Sequence, residues 1–418
     1  METVPHVLLV AATTGYQTRV FADAARRLGF ELTLATDRCH VLEDPWGDHA
    51  IPIRFEDPEG ARDILQAAGP FDGITAVADR PALIAASAAE ALGIPFHKRD
   101  AVQACRDKHL ARQRFEAAGL LVPEFFRIAV DSAPENAARQ AHFPCVLKPL
   151  GLSGSRGVIR ADDERQFAAA FERIKALLRA ADIAALHEDQ SQYIQVERFI
   201  EGREFAVEGI ATRGELQVLA IFDKPDPLNG PFFEETIYVT PSRETAEVQD
   251  LIIQTTRRAM QALGLTQGPI HAELRVNQKG AWMLEVAARP IGGLCARALR
   301  FDAGMPLEEL ILRHAVGEDV THARPGDAAS GVMMIPIPKA GIYQGVEGVE
   351  NAAAVTGIED VIITAKEGQT ILPLPEGSSY LGFLFARGER AEQVESALRK
   401  AHAHLHFEIA TLLPVISR

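Results

Sequence analysis

Residues 269–293 read PIHAELRVNQKGAWMLEVAARPIGG, and the rest of the chain is read outward from them. Residues 270–276 and 281–287 are short, largely apolar runs. Asn277-Gln278-Lys279-Gly280 between them is turn chemistry, so the pattern predicts a β-hairpin. A three-residue loop of Gln278, Lys279 and Gly280, with Gly280 left-handed, sets Glu273 directly opposite Glu285. Cβ atoms of such partners lie roughly 5 Å apart, and like charges there are destabilising. A bound cation removes the conflict, and carboxylate oxygens suit a hard ion such as Mg²⁺, which usually takes one or two of them plus phosphate oxygens. Arg289, four residues after Glu285, stands at the strand end, where a guanidinium can hold an anion. The plainer reading is a solvated hairpin face with ordinary charges; the hairpin alone favours it, and the rest of the chain reverses the balance.

The residues before the hairpin supply more of the pattern. Residues 143–147 read as a strand leading into Lys148-Pro149, followed by GLSGSRGV at 151–158. Gly151, Gly154 and Gly157, with Ser153 and Ser155 between them, form a loop of backbone N–H groups and hydroxyls suited to phosphate. It is not a Walker A loop, because the lysine precedes the glycines. Residues 167–185 have the spacing of an amphipathic helix. Residues 193–199 form a strand that runs on into Ile200-Glu201-Gly202-Arg203-Glu204-Phe205. Acidic residues beside a turn can bond an adenine amine or ribose hydroxyls, although a solvated charged turn is commoner. An antiparallel pair over 205–210 and 215–221 precedes residues 223–240, DKPDPLNGPFFEETIYVT. That stretch reads as a long loop, and Phe232 and Phe233 favour an ordered lid over a linker. A helix over 246–263 then packs behind the hairpin.

Nearer the start, residues 6–12 are a buried-type strand, a helical repeat runs from Val20 to Leu28, and a strand begins at Glu31. This β-α-β opening suggests a half-Rossmann layer. The first turn, Ala-Thr-Thr-Gly, lacks G-x-G-x-x-G, which excludes dinucleotide binding there. A second cycle places a strand at 73–78 and an alanine-rich helix at 82–92. Asp79 and Arg80 at the strand end are either substrate contacts or a cap and a surface charge. Asp107 reads as the N-cap of a helix over 108–118. Lys108 in its first turn is unfavourable beside the helix dipole, so it points to solvent or is neutralised by an anion.

Arg324-Pro325-Gly326-Asp327 marks a domain boundary. The tail then reads as strand (331–337), helix (346–355), strands (361–364 and 380–386) and helix (389–402). His402, His404 and His406 with Glu408 match no common zinc spacing, and a helix end running into a strand explains them better than a metal.

At 418 residues and 47% hydrophobic, the chain has length and apolar content for two or three globular domains. A net charge of -14 disfavours nucleic acid and anionic membranes as partners. Cys39, Cys105, Cys145 and Cys295 are scattered and read as reduced core thiols. The N-terminal stretch lacks a basic region and no long uncharged apolar run follows, so a cytoplasmic protein is expected.

Lys108, Lys148 with its glycine-rich loop, VERFIEGREF and the hairpin with its glutamates and Arg289 together resemble the ATP-grasp superfamily in order and spacing. HAELR, EVAARPIGG and the 223–242 loop resemble its carboxylate-amine ligases that join amino acids. The resemblance implies an α/β (α+β) ATP-grasp fold: an N-terminal half-Rossmann (pre-ATP-grasp) domain over 1–106, an ATP-grasp domain over 107–325 with a lid subdomain at about 120–195, and a C-terminal α+β domain over 326–418. It implies that Lys108 and Lys148 hold nucleotide phosphates with the loop of Gly154, Ser155 and Gly157. Glu197 and the Phe199 backbone would read adenine and Glu204 would bind ribose. Glu273 and Glu285 would be ligands for Mg²⁺, with Mn²⁺ as an alternative. Arg289 would stabilise the transferred phosphoryl group, with Gly292 and Gly293 binding the acyl phosphate. The family commonly has asparagine two residues after the second glutamate, where this chain has Ala287. The expected activity is ATP- and Mg²⁺-dependent amide or dipeptide formation through an acyl phosphate, on carboxylate and amine substrates that are amino acids, in a homodimer. The alternatives are a biotin-carboxylase-like carboxylase, disfavoured because Pro290-Ile291-Gly292-Gly293 replaces the bicarbonate-binding Gln-Val-Glu-His run, and a nucleotide sensor without catalysis.

Overall fold

The computed structural model describes residues 4–12, 16–37 and 50–412. Thr13, Thr14 and Gly15 of the first turn, and Cys39, lie outside the described residues. The chain forms two compact units, each assembled from three segments: Met1–Val122, Phe205–Ile221 and Glu244–Gly326 make one, and Pro123–Glu204, Phe222–Arg243 and Asp327–Arg418 the other.

The first unit opens on a parallel sheet in the order Ala50–Pro52, Glu31–Thr36, His6–Ala11, Gly73–Val77. Leu8, Leu9 and Val10 are fully buried, which is why the central strand reads as an unbroken apolar run rather than an alternating one. Asp79 starts the helix Asp79–Leu92 instead of ending the preceding strand. Asp107 caps the helix Lys108–Ala117, accepting from the backbone N–H groups of His109 and Leu110. The same unit contains the hairpin strands Gly268–Asn277 and Gly280–Ala287, with Arg203–Thr212 next in the sheet order. The helix Ala246–Leu263 turns its Ile252, Ala259, Met260 and Leu263 face into a core that also holds Phe115, Phe205 and Met283.

The second unit has a four-stranded antiparallel sheet, ordered Phe125–Ala129, Tyr193–Arg198, Cys145–Pro149, Ile159–Ala161. Phe167, Phe171 and Ile174 of the helix Glu164–Leu178 pack on Leu147 and Val196 of that sheet. The helix stops at Leu178, short of the expected 185, and a separate turn, Ala181–Ala184, follows. Ile237–Thr240, Ala329–Ile335, Gly382–Gly388 and Ile358–Ile363 form a further antiparallel array under the helix Ala391–His402. The expected loop 223–240 therefore ends in a strand: Ile237, Tyr238 and Val239 are apolar and pair with Met333, Val332 and Gly331. The helix expected at 346–355 is shorter. Gly341–Glu347 is a strand, paired in part with His406–Ala410, and only Val349–Ala353 is helical. His402 ends a helix and His406 starts a strand, as the alternating histidines suggested.

Candidate active site

In the hairpin, Asn277 pairs with Gly280, so the loop is the two residues Gln278 and Lys279 rather than three. Asn277 Oδ1 accepts from the Lys279 N–H at 2.9 Å and from Trp282 Nε1 at 3.1 Å, which holds the turn. A two-residue loop alone would set Glu273 against Leu284. A register shift between Glu273 and Leu274, which pair with Glu285 and Met283, leaves Leu284 as the extra residue of a bulge. Glu273 thereby faces Glu285, the expected register reached by a different turn. Both carboxylates are partly exposed, at 23% and 29% of the side chain. Lys108 Nζ lies 3.6 Å from Glu285 Oε2, so the lysine at the helix start is neutralised by this acid. Two opposed, partly exposed carboxylates are a hard-oxygen donor set that fits a divalent cation.

Arg289 is held by Asp79, with Nε and Nη2 donating to the two carboxylate oxygens at 2.9 and 3.3 Å. Burial alone would raise the Asp79 pKa, but the Arg289 guanidinium outweighs it and holds the acid below the usual carboxylate range. Asp79 is thus an anchor for Arg289, and the cap reading of that position gives way to an ion pair. Two residues on, the peptide of Ile291 is fixed from both sides. Glu208 Oε2 accepts from its N–H at 3.1 Å, and Gln17 Nε2 donates to its carbonyl at 2.7 Å. The other oxygen of Glu208 pairs with His271 Nδ1, and His271 Nε2 lies 3.1 Å from Glu273 Oε1. Burial works against the charged imidazole, yet Glu208 and Glu273 together raise His271 to about 9.

The second unit carries the other expected residues. Lys148 Nζ sits 2.5 Å from Glu197 Oε2, and Gln195 Nε2 donates to Glu197 Oε1 at 2.7 Å. The Phe199 N–H donates to the Pro144 carbonyl at 2.9 Å, and its ring lies under the Arg160 guanidinium at 4.4 Å. Glu204 pairs with Lys224 Nζ at 2.9 Å, and Lys224 also pairs with Glu235. Glu204, Lys224, Phe199 and Arg160 line one cavity of about 490 Å³. In the glycine-rich loop, Gly154, Ser155 and Gly157 all have positive φ, but the Gly157 N–H donates to Pro375 at 2.9 Å, and Arg156 Nε donates to the Glu376 carbonyl at 2.8 Å. That amide is engaged by the segment after Leu372 rather than held open for phosphate.

Lys224, Glu235, Glu208 and His271 escaped the sequence reading. A signal for Glu208 was available, since a carboxylate inside the strand FAVEGIA is rarely buried unless paired. Lys224 gave no comparable signal, because a lysine in a Pro/Asn/Gly loop is ordinarily solvated. Cys105, Cys145 and Cys295 are buried free thiols, and burial pushes the Cys145 thiol up to about 12. Among the described residues no helix is long and apolar enough to cross a membrane.

Family models match along most of the chain: an ATP-grasp N-terminal domain over residues 22–96, an ATP-grasp domain over 141–298 and an L-amino acid ligase C-terminal domain over 333–410. The crystal structure of an L-amino acid ligase from Bacillus licheniformis superposes with a TM-score of 0.84 at 27% identity, covering 98% of this chain and 100% of that one. The chain belongs to the ATP-grasp superfamily, in its carboxylate-amine ligase branch. This ATP-grasp chain is also similar to alanine–anticapsin ligase of Bacillus subtilis, 26% identical over 63% of this chain and 58% of the relative. Dapdiamide A synthase of Enterobacter agglomerans is 28% identical over 49% of this chain and 47% of the relative. The chain thus spans about half the length of these two curated ligases.

Proposed function

We propose that this ATP-grasp chain joins a carboxylate to an amine, with both substrates drawn from amino acids and related small acids. The names of its relatives, an L-amino acid ligase, alanine–anticapsin ligase and dapdiamide A synthase, support that substrate class. A carboxylate is a poor electrophile at neutral pH. Transfer of the γ-phosphoryl group of ATP to one of its oxygens releases ADP and leaves an acyl phosphate. The amine nitrogen then attacks the acyl carbon, phosphate departs with the C–O bond pair, and the amine gives up a proton. Phosphoryl transfer needs mainly positioning and charge neutralisation.

The residues fit those needs. Lys148, Glu197 and Glu204, with the Phe199 ring, are assigned to the nucleotide, and Glu273 and Glu285 to a divalent ion. When bound, Mg²⁺ or Mn²⁺ neutralises phosphate charge and orients the transferred group. Lys108, beside Glu285, is assigned to nucleotide phosphate. Arg289, kept rigid by Asp79, is assigned to the transferred phosphoryl group, and the backbone at Gly292 and Gly293 to the acyl phosphate.

The observation that carries the reading is the Glu273–Glu285 pairing facing Lys108. Its test is phosphate release measured over pairs of amino acids, with products identified by mass. Wild type should release one phosphate per amide formed, and Glu285→Gln should lower turnover on the order of 100-fold with the fold retained. Undiminished turnover in Glu285→Gln would remove the metal assignment. Release that needs bicarbonate and biotin would point to the carboxylase alternative, and ATP binding without turnover in any mixture to the sensor.

A further inference from the structure

We infer that Glu208 and His271 are positioning residues: one buried carboxylate sets the metal-binding acid Glu273 and the turn at Ile291–Gly293 in fixed relation. This deepens the reading above and rests on it.

Glu208 is 1% exposed and sits in the middle of the strand Arg203–Thr212, between apolar neighbours. Burying a carboxylate is costly unless it is paired and hydrogen-bonded, and a buried ion pair is weak evidence of net stabilisation. Two apolar side chains of similar volume would hold the strands at least as well. What they would not do is connect two groups with directional bonds. The two oxygens of Glu208 are divided between two targets. Oε1 takes His271 Nδ1, which aims Nε2 at Glu273 Oε1, 3.1 Å away. Oε2 takes the Ile291 N–H at 3.1 Å.

Each target adjoins a group assigned to chemistry. Glu273 has two oxygens, and a bond from His271 to one of them fixes the rotation of the carboxylate and so the direction the other presents. Ile291, with its N–H on Glu208 and its carbonyl on Gln17, is the last residue pinned before Gly292, where even an added Cβ would meet nothing within 4 Å. The uncrowded space at Gly292 therefore adjoins a point fixed by the same carboxylate that orients the metal-binding acid. Partners of this kind around metal ligands typically change metal affinity or activity about 10–100-fold when removed.

The experiment measures Mn²⁺ binding in the presence of ADP by the electron paramagnetic resonance signal of the free ion, with circular dichroism and thermal melting as controls. Glu208→Gln keeps the shape of the side chain but offers a donor where Glu208 accepts. It should weaken Mn²⁺ binding about tenfold or more in a folded protein. In a Glu273→Gln background the same change should move Mn²⁺ affinity by less than about twofold, because the residue acts through Glu273. Should Glu208→Gln not fold, His271→Gln tests the same arm and leaves the Ile291 bond intact. Unchanged Mn²⁺ affinity in the folded variants, or a loss that adds in full to that of Glu273→Gln, would overturn the inference alone. A wild-type protein that binds no Mn²⁺ with ADP would overturn the metal reading and this inference with it.

Discussion

Outside the candidate active site, His97 has its chemistry set by its surroundings. It is buried, its Nδ1 accepts from the Gln267 N–H at 3.2 Å and its Nε2 donates to the Pro269 carbonyl at 3.1 Å, so both ring nitrogens are satisfied by the neutral form. Burial holds its pKa near 4, against 6.5 for a free imidazole. The unfolded chain takes up a proton as pH falls below 6.5 and the folded chain does not until about 4. The stabilisation is therefore complete above pH 6.5 and is lost progressively as pH drops toward 4, by about 3 kcal/mol in total. In urea denaturation series between pH 6 and 5, His97→Gln should reduce the slope of unfolding free energy against pH by about 1.2 kcal/mol per unit. An unaltered slope would show that His97 does not carry this linkage. His97 was illegible in the sequence because its partners are backbone groups some 170 residues away. The glutamate pair was legible because both members lie within one hairpin, close enough in sequence for the turn to bring them near each other, although the bulge at Leu284 is what sets them opposite. His271, two residues from Glu273, lies in that same hairpin, but its meaning depends on Glu208, 63 residues earlier.

Among the elements, the hairpin and the glycine-rich loop show where local pattern is sufficient and where it misleads. Two short apolar runs and the turn chemistry between them located the hairpin, yet the loop is one residue shorter than expected and the bulge at Leu284 restores the register. Nothing in Trp282-Met283-Leu284-Glu285 announces a bulge, since each residue is compatible with a regular strand. The glycine-rich loop is similar: Gly154 and Gly157 have positive φ while Gly151 does not, and the surroundings of each differ. At Gly157, with φ +75°, an added Cβ would lie 2.6 Å from Pro149 Cγ and 3.0 Å from Leu177 Cδ2. At Gly154, with φ +65°, the nearest atom is Ser378 Cβ at 3.7 Å. Gly154→Ala should thus cost only the left-handed backbone penalty, about 1–2 kcal/mol. Gly157→Ala adds crowding against the ring of Pro149, for a total of roughly 2–5 kcal/mol. Chemical denaturation of the two variants should separate them by at least about 1 kcal/mol. Equal losses would mean that Pro149 and Leu177 yield to the methyl group, and that the loop is looser than these distances imply.

At the scale of the whole molecule, the sequence made the order of elements readable but not the company they keep. No pattern in residues 205–221 or 244–326 signals that they complete a core begun by the first 122. Yet that core joins Phe115, which is fully buried, to Phe205, Leu263 and Met283. The polar contacts run the same way. Arg112, 1% exposed, donates to the Met283 carbonyl at 2.9 Å, and Arg114 donates to the Leu263 carbonyl at the same distance. A chain ending at Val122 would keep its parallel sheet and most of its helices but lose every one of these later partners. Phe115 would face water, and a guanidinium shaped for a buried carbonyl would be left beside it. The loss of one large aromatic's burial alone is worth about 1.5–3 kcal/mol, a sizeable part of the 5–15 kcal/mol by which domains are stable. The fragment 1–122, expressed alone, should therefore retain helical circular dichroism while binding a hydrophobic dye such as ANS and melting without a cooperative transition. A sigmoidal calorimetric transition with an enthalpy of about 60–80 kcal/mol, the value for an intact domain near 100 residues, would show instead that the N-terminal layer is stable by itself and that the later segments dock on a preformed surface.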